Sequence, residues 1–238
     1  MDNLAIVILA AGKGTRMKSN LTKVCHLVGI KTMIEHVVDT ALKLTKEVII
    51  IVSKENINDV KSSLNNYENI RLKIQYEQLG TGHAVLSAEP CCNDRDLLVL
   101  LGDVPLITSR TLKKVINTSH DAVIIIFRNR DRENKFGRII IKDNKVDKIV
   151  EYLDATPEER NVHLCNSGML WIKSTHVPLL YEIKNDNKKG EYYLTDIIGI
   201  MVNKNLEIGY LETTAEECMG VNSPEELIKV NDLYKLIH

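Results

Sequence analysis

An excess of charge of either sign is missing from this sequence. Its 238 residues carry 31 Lys and Arg against 32 Asp and Glu, a formal net charge of −1. That balance excludes broad electrostatic attraction to nucleic acid or to a membrane surface. Long apolar runs are missing too, and no stretch is long enough to span a bilayer. No signal peptide is expected at the N-terminus: Asp2 stands where positive charge belongs, and no small-residue cleavage site follows. A cytoplasmic protein is the expectation. Cysteine is scarce and odd in number. Cys25, Cys91, Cys92, Cys165 and Cys218 fit neither a disulfide framework nor a zinc spacing. They read as reduced thiols, mostly in the core, although Cys25 lies close enough to a cationic loop to be read as a reactive thiol as well. The seven histidines are scattered, with no H-E-x-x-H pair, and no Ser-His-Asp or Cys-His arrangement is evident.

What is present is a core-forming chain, 44% hydrophobic and 26% charged. The run Leu4–Leu9 is apolar throughout, as in a parallel strand buried on both faces. It ends in Ala10-Ala11-Gly12-Lys13-Gly14-Thr15-Arg16. Small residues let the backbone approach a bulky ligand, and the cations beside them make that ligand an anion such as phosphate. Neither better-known phosphate motif fits: Met17 stands where the dinucleotide fingerprint needs its third glycine, and no P-loop string occurs. By itself the turn reads equally well as an ordinary strand-to-helix connection.

Strands and helices then alternate. Helices are expected over 32–44, 56–64, a segment ending at Ala88, and 109–117 capped by Ser109. Strands are expected over 47–52, 71–76, 96–101 and 122–127. Beyond that the pattern changes to a hairpin, 137–142 and 145–151, turning at Asp143-Asn144. A strand region over 161–172, helices over 174–183 and 194–202 around a polar surface loop 184–190, a strand over 207–213 and a helix capped by Ser223 complete the chain. The expected fold is α/β: a Rossmann-like, doubly wound, mixed but mostly parallel sheet with antiparallel hairpin insertions. A domain over 1–222 and a linker-like C-terminal helix over 223–238 are expected.

Ligands of such sheets sit outside the carboxyl ends of the strands. Asp103, directly after a buried strand, is placed to hold Mg²⁺, which takes one or two carboxylates plus substrate phosphates; it is equally placed to cap a turn. Lys23 and Arg16 are candidate phosphate contacts, with a solvated surface role as the alternative for Lys23. Gln75 and Gln78 can read a base edge or simply sit at the surface. Glu151 and Asn166 suit sugar hydroxyls, Asn166 being also a natural bulge residue before Gly168. Asn222 is either a neutral cation ligand or the start of a helix cap. Together these point to nucleotidyl transfer, in which positioning and charge neutralisation supply most of the catalysis.

The string Leu9–Met17 with Lys23 resembles the signature of sugar-1-phosphate nucleotidyltransferases. Glu77–Ala84, Gly102-Asp103-Val104-Pro105, Phe136–Ile139, Ile149–Glu151, Asn166-Ser167-Gly168, Gly190–Asp196 and Gly220-Val221-Asn222 sharpen it. In this order, over essentially the whole chain, they resemble the N-terminal uridyltransferase domain of the bifunctional GlmU family. The resemblance implies Mg²⁺-dependent transfer of UMP from UTP to N-acetylglucosamine 1-phosphate. The products would be UDP-N-acetylglucosamine, a precursor of peptidoglycan and lipopolysaccharide, and pyrophosphate. It implies nucleotide contacts from Leu9, Ala10, Ala11 and Gly12, and phosphate neutralisation by Arg16 and Lys23. Uracil contacts would come from Gln75, Gly80 and Thr81, and Mg²⁺ would be held by Asp103 and Asn222. Amino-sugar contacts would come from Gly137, Glu151 and Asn166, with Leu101 and Gly102 lining the site.

Three positions depart from the family pattern. Thr22 replaces the usual proline before Lys23 and loosens the loop. Leu101 stands where tyrosine is common, and Ser167 where threonine is. The family's hexapeptide-repeat β-helix is not expected in this chain, so neither acetyl transfer nor trimerisation is implied. Two other readings stay open: transfer to a different sugar 1-phosphate or from a different nucleotide, and a binding protein for nucleotide sugars that no longer catalyses.

Overall fold

The computed structural model describes residues 3–88, 92, 94–131, 134–143 and 145–237. Cys91 and Asn144 of the expected hairpin turn lie outside these residues. The apolar run forms β1 (Leu4–Leu9), which lies between two parallel neighbours, β4 (Val48–Val52) and β6 (Asp96–Leu101). β5 (Ile70–Ile74) extends this parallel half beyond β4. On the other side, β10 (Leu164–Ile172) runs antiparallel between β6 and β7 (Ala122–Arg128), and β11 (Ile208–Glu212) pairs parallel with β7 at the edge. The path is thus β11-β7-β10-β6-β1-β4-β5. The hairpin of β8 (Arg138–Lys142) and β9 (Lys145–Val150) branches from it through β10. A small hairpin, β2 (Leu27–Val28) and β3 (Lys31–Thr32), stands apart. The mixed, mostly parallel α/β sheet is as expected.

Both faces of the sheet are covered, which is why its strands read as unbroken apolar runs. Ile6 and Ile8 face α1 (Met33–Leu42), α2 (Ile57–Ser63) and α4 (Ser109–Ile116). Ala5 and Val7 face α3 (Thr81–Leu86) and α6 (Asp196–Asn203). α5 (Pro157–Arg160) is a single turn, and α7 (Pro224–Ile237) buries Val230 in a third cluster with Met17, Val28 and Met33.

Several boundaries differ from the sequence reading for identifiable reasons. Thr32 is not the first helical residue of α1 but its cap, in a reciprocal capping box with Glu35. Thr108, not Ser109, caps α4, its hydroxyl accepting from the Thr111 amide at 3.2 Å. Residues 174–182 form a 3-10 rather than an α-helix, with Pro178 inside, where it cannot donate a backbone bond. α5 was not expected; Thr156 and Glu159 close a capping box around its one turn, which starts at Pro157.

Gly199 lies inside α6 and a methyl group added to it meets no atom within 4 Å. Gly199→Ala is expected to stabilise the protein by about 0.5–1 kcal/mol. A thermal melt checks this, and an unchanged or lower melting temperature would contradict it.

Candidate active site

Register places the site. Leu9 pairs with Leu101 at the ends of β1 and β6, so the opening loop and Asp103 leave the sheet side by side. Gln75 follows β5 two strands away, and its amide donates to the Val52 carbonyl at 2.8 Å. These strand ends surround a cleft of about 620 Å³. Leu9, Ala10, Ala11, Gly12, Arg16, Lys23, Gln75, Gly80, Thr81, Leu101, Asp103 and Asn222 all line it. Gly102 does not; it lies beneath the floor, donating its amide to the Leu9 carbonyl at 2.9 Å.

The opening loop is prepared for an anion. Among the described residues, the amides of Gly12, Lys13 and Gly14 have no backbone acceptor, and the Arg16 guanidinium has no polar partner. Oriented N–H groups without internal partners make an anion-binding concavity. The loop is held from outside by Asn56, a buried residue the sequence did not reveal, whose Nδ2 donates to the Ala10 carbonyl at 2.8 Å. Gln78 does the same for Ala11 at 2.8 Å through its Nε2, so this cleft-lining side chain also anchors the loop.

Lys23 does not point into open solvent. Its Nζ lies 2.5 Å from Asp103 Oδ2 and donates to Asn222 Oδ1 at 3.0 Å. Asp103 and Asn222 are brought together by a backbone bond, Val221 amide to Asp103 carbonyl at 2.9 Å. The cap of α7 is supplied by Ser223, whose Oγ accepts from the Glu226 amide, while Glu226 in turn accepts from the Asn222 amide. The Asn222 side chain is thereby left for the site. Gly14, in the left-handed region at φ +62, allows the Lys23 stem to lie against it: an added Cβ would stand 2.6 Å from Lys23 Cβ.

Thr22 is tethered rather than loose. Its hydroxyl donates to Asp59 on α2 at 2.5 Å. This bond does part of what proline does by restricting φ, by fixing the residue before Lys23 to a helix. Thr22→Val is expected to keep the fold, with a stability loss near 1 kcal/mol or less. It should raise the KM for the nucleotide severalfold, and Asp59→Asn should give a smaller rise. Steady-state kinetics would settle it, an unaltered KM in both variants removing the tether's role.

Gln75 is buried, and its Nε2 donates to the Gly80 carbonyl at 3.1 Å and faces His83 Nδ1 at 3.1 Å. Residues 192–195 hold the far side of this turn. The Tyr192 amide donates to the Leu79 carbonyl at 2.8 Å, its carbonyl accepts from Gly82, and the Leu194 amide donates to Thr81 Oγ1 at 3.0 Å. Lys189 and Glu191, read from the sequence as surface loop and motif without a role, line the same cleft.

Gly137, Glu151 and Asn166 form a second cluster. A Cβ on Gly137 would meet the Glu151 carboxylate at 3.3 Å, and the Asn166 amide donates to the Gly137 carbonyl at 2.9 Å. Asn166 Oδ1 accepts from the Gly168 amide within a bulge of β10, so its Nδ2 is the group that remains for a ligand. Gly168, at φ +83, packs on Leu101 and joins this cluster to the cleft floor. Arg138, fully buried, donates to the carbonyls of Asn134, Phe136 and Arg160 and so fixes the loop carrying Gly137. Thr195 Oγ1 donates to Glu151 Oε1 at 3.1 Å.

Burial pushes the Glu151 carboxyl up against that hydrogen bond. Asp196 is pushed up to about 6, by burial first and then by Glu151, Asp186 and Asp154. Cys25 is buried and its thiol is also pushed up by burial, which removes the reading of a reactive thiol.

A family model for the MobA-like NTP transferase domain matches residues 6–190. The chain belongs to this family. The bifunctional protein GlmU of Clostridioides difficile is 42% identical over 243 residues, covering 98% of this chain and 52% of that protein. GlmU of Alcanivorax borkumensis is 40% identical, with 98% and 52% covered, and GlmU of Jannaschia sp. 37%, with 95% and 51%. The resemblance to one part of GlmU is thus borne out, and the chain spans about half the length of these relatives. A crystal structure of a candidate glucose-1-phosphate thymidylyltransferase from Bacillus anthracis superposes with a TM-score of 0.79 at 23% identity, covering 99% of this chain and 96% of that one. It shares the fold of this NTP transferase family member.

Proposed function

We propose that this chain transfers UMP from UTP to N-acetylglucosamine 1-phosphate, releasing pyrophosphate and forming UDP-N-acetylglucosamine. The observation that carries the proposal is the convergence of Asp103 and Asn222 on one cation, the Lys23 ammonium, beside a loop of open amides. Two hard oxygen donors drawn together around positive charge fit Mg²⁺, which completes its shell with phosphates and water.

The reaction needs no protein nucleophile. An oxygen of the sugar phosphate attacks the α-phosphorus of UTP in line, and the bond to the pyrophosphate oxygen breaks. Arg16 and the amides of Gly12 to Gly14 take the charge of the phosphates. Asp103 and Asn222 would hold the divalent cation, which would supply neutralisation of the charge on the phosphate oxygens. Gln75 keeps its carbonyl oxygen for a base N–H because its amide nitrogen is engaged by Gly80 and His83. Thr81 and the Gly80 backbone take the rest of the uracil edge. Gly137, Glu151 and the Asn166 Nδ2 receive the amino sugar, leaving its phosphate toward the cleft.

The test is pyrophosphate release across a panel of nucleotides and sugar phosphates, with and without Mg²⁺. UTP with N-acetylglucosamine 1-phosphate is expected to turn over fastest, and only with the metal. Faster turnover with glucose 1-phosphate or dTTP would overturn the substrate assignment. Binding of UDP-N-acetylglucosamine without turnover under any divalent ion would overturn the activity.

A further inference from the structure

The Lys23 side chain occupies the position that the functional reading gives to the metal. Its Nζ is within 2.5 Å of Asp103 Oδ2 and 3.0 Å of Asn222 Oδ1. The pair is shielded, with Lys23 13% and Asp103 17% exposed. The backbones that carry the two oxygens are tied, Asp103 by the Val221 amide on its main-chain carbonyl and Asn222 by its main-chain amide on the Glu226 carboxylate, and both side chains are short. The ammonium is the part free to move, at the end of a flexible four-carbon stem whose root rests on Gly14.

We propose that Lys23 is a placeholder for the divalent cation. It fills the seat between Asp103 and Asn222 while the cleft is empty and surrenders it when nucleotide phosphates offer its ammonium another anionic partner. This rests on the functional reading above and extends it to the order of events. Mg²⁺ takes its oxygen ligands at about 2.0–2.1 Å and so competes with the ammonium for Asp103 Oδ2 and Asn222 Oδ1. Metal alone must therefore break a charge-assisted pair, leaving a shielded ammonium without an anion. Metal with nucleotide meets no such cost, because the phosphates receive the ammonium. Nucleotide and metal then bind with positive coupling, and the coupling is reciprocal. Asp103 also never faces the cleft as an uncompensated carboxylate, which would repel an incoming triphosphate.

The experiment uses Mn²⁺ as the probe, with free Mn²⁺ read by electron paramagnetic resonance against the whole chain. Without nucleotide, the wild type is expected to bind weakly, and Lys23→Met to bind on the order of tenfold tighter or more, the scale of one charge-assisted pair. UTP should tighten Mn²⁺ binding to the wild type far more than to Lys23→Met. Adding Asp103→Asn should remove the gain. If Lys23→Met binds no tighter than the wild type while Asp103→Asn still abolishes binding, the placeholder is wrong and the metal site stands. If Asp103→Asn changes Mn²⁺ binding in no form, the metal assignment fails and the placeholder with it. A second measurement needs no variant. Labelling of Lys23 Nζ in the wild type by an amine-reactive ester, read by mass spectrometry, should rise when saturating Mn²⁺ is added without nucleotide. Unchanged labelling under Mn²⁺ occupancy overturns the proposal.

Discussion

Asp103→Ala should lower kcat by about three orders of magnitude, roughly 4 kcal/mol of transition-state stabilisation. Among the described residues the Lys23 ammonium meets two side-chain oxygens, the Asp103 carboxylate and the Asn222 amide, and Asn222 brings no charge. Loss of the carboxylate removes the anion that holds Lys23 and that the proposed function gives to the metal. The substrate phosphates would still bring a metal into the cleft, but nothing charged would fix its place against the reacting phosphorus. The fold has little reason to fail. The backbone bond from Val221 uses the Asp103 carbonyl, which alanine keeps, and the side chain is not fully buried. A melting temperature near the wild-type value together with collapsed pyrophosphate release is the expected pair of results. Asp103→Asn keeps the shape and loses the charge, so it should fall nearly as far. Full activity in Asp103→Ala would sink the metal assignment.

Why this carboxylate was legible before the structure, and its contact with Lys23 was not, is a matter of range. Asp103 follows an apolar strand directly, and strand ends are where such sheets bind. The run Leu4–Leu9 and its small-residue loop were readable for the same local reason, as was the 137–151 hairpin. The Lys23–Asp103 contact spans 80 positions, and Lys23–Asn222 spans 199. No local periodicity carries information over that distance. The same holds for Asn56 on Ala10, Thr195 on Glu151 and the Tyr192 main chain on Gly82. The residues that hold these groups in place act across long sequence separations, and two of the three contacts end on a main-chain atom, which leaves no trace in residue type. Pro178 stands inside the segment read as a helix, and its missing backbone donor fits the 3-10 form found there. The short α5 was missed because one turn cannot show a 3.6-residue period.

Gly80→Ala should impair both substrates at once. Gly80 sits at φ +117, a conformation that side chains rarely tolerate, and a Cβ there would stand 2.6 Å from the Tyr192 carbonyl oxygen and 2.8 Å from its nitrogen. The obstacle is backbone and cannot rotate away. Either the turn carrying Thr81 or the segment 192–195 must move. Strain of this kind costs about 2–3 kcal/mol, which in a chain of this size lowers the melting temperature by roughly 4–10 °C. The displaced segment also carries Thr195, whose hydroxyl holds Glu151, and Leu194, whose amide is held by Thr81. A shift made at the nucleotide end is thus passed to the proposed sugar end. The KM for UTP and the KM for N-acetylglucosamine 1-phosphate should both rise on the order of tenfold, the scale of one lost hydrogen bond to a charged group. Gly12→Ala is the comparison for stability. It lies in the same cleft, with no positive φ and open space around an added Cβ. Its melting temperature should stay within about 2 °C of wild type. A Gly80→Ala protein that melts like wild type, or that loses affinity for UTP alone, would show that the 192–195 segment does not join the two ends of the cleft.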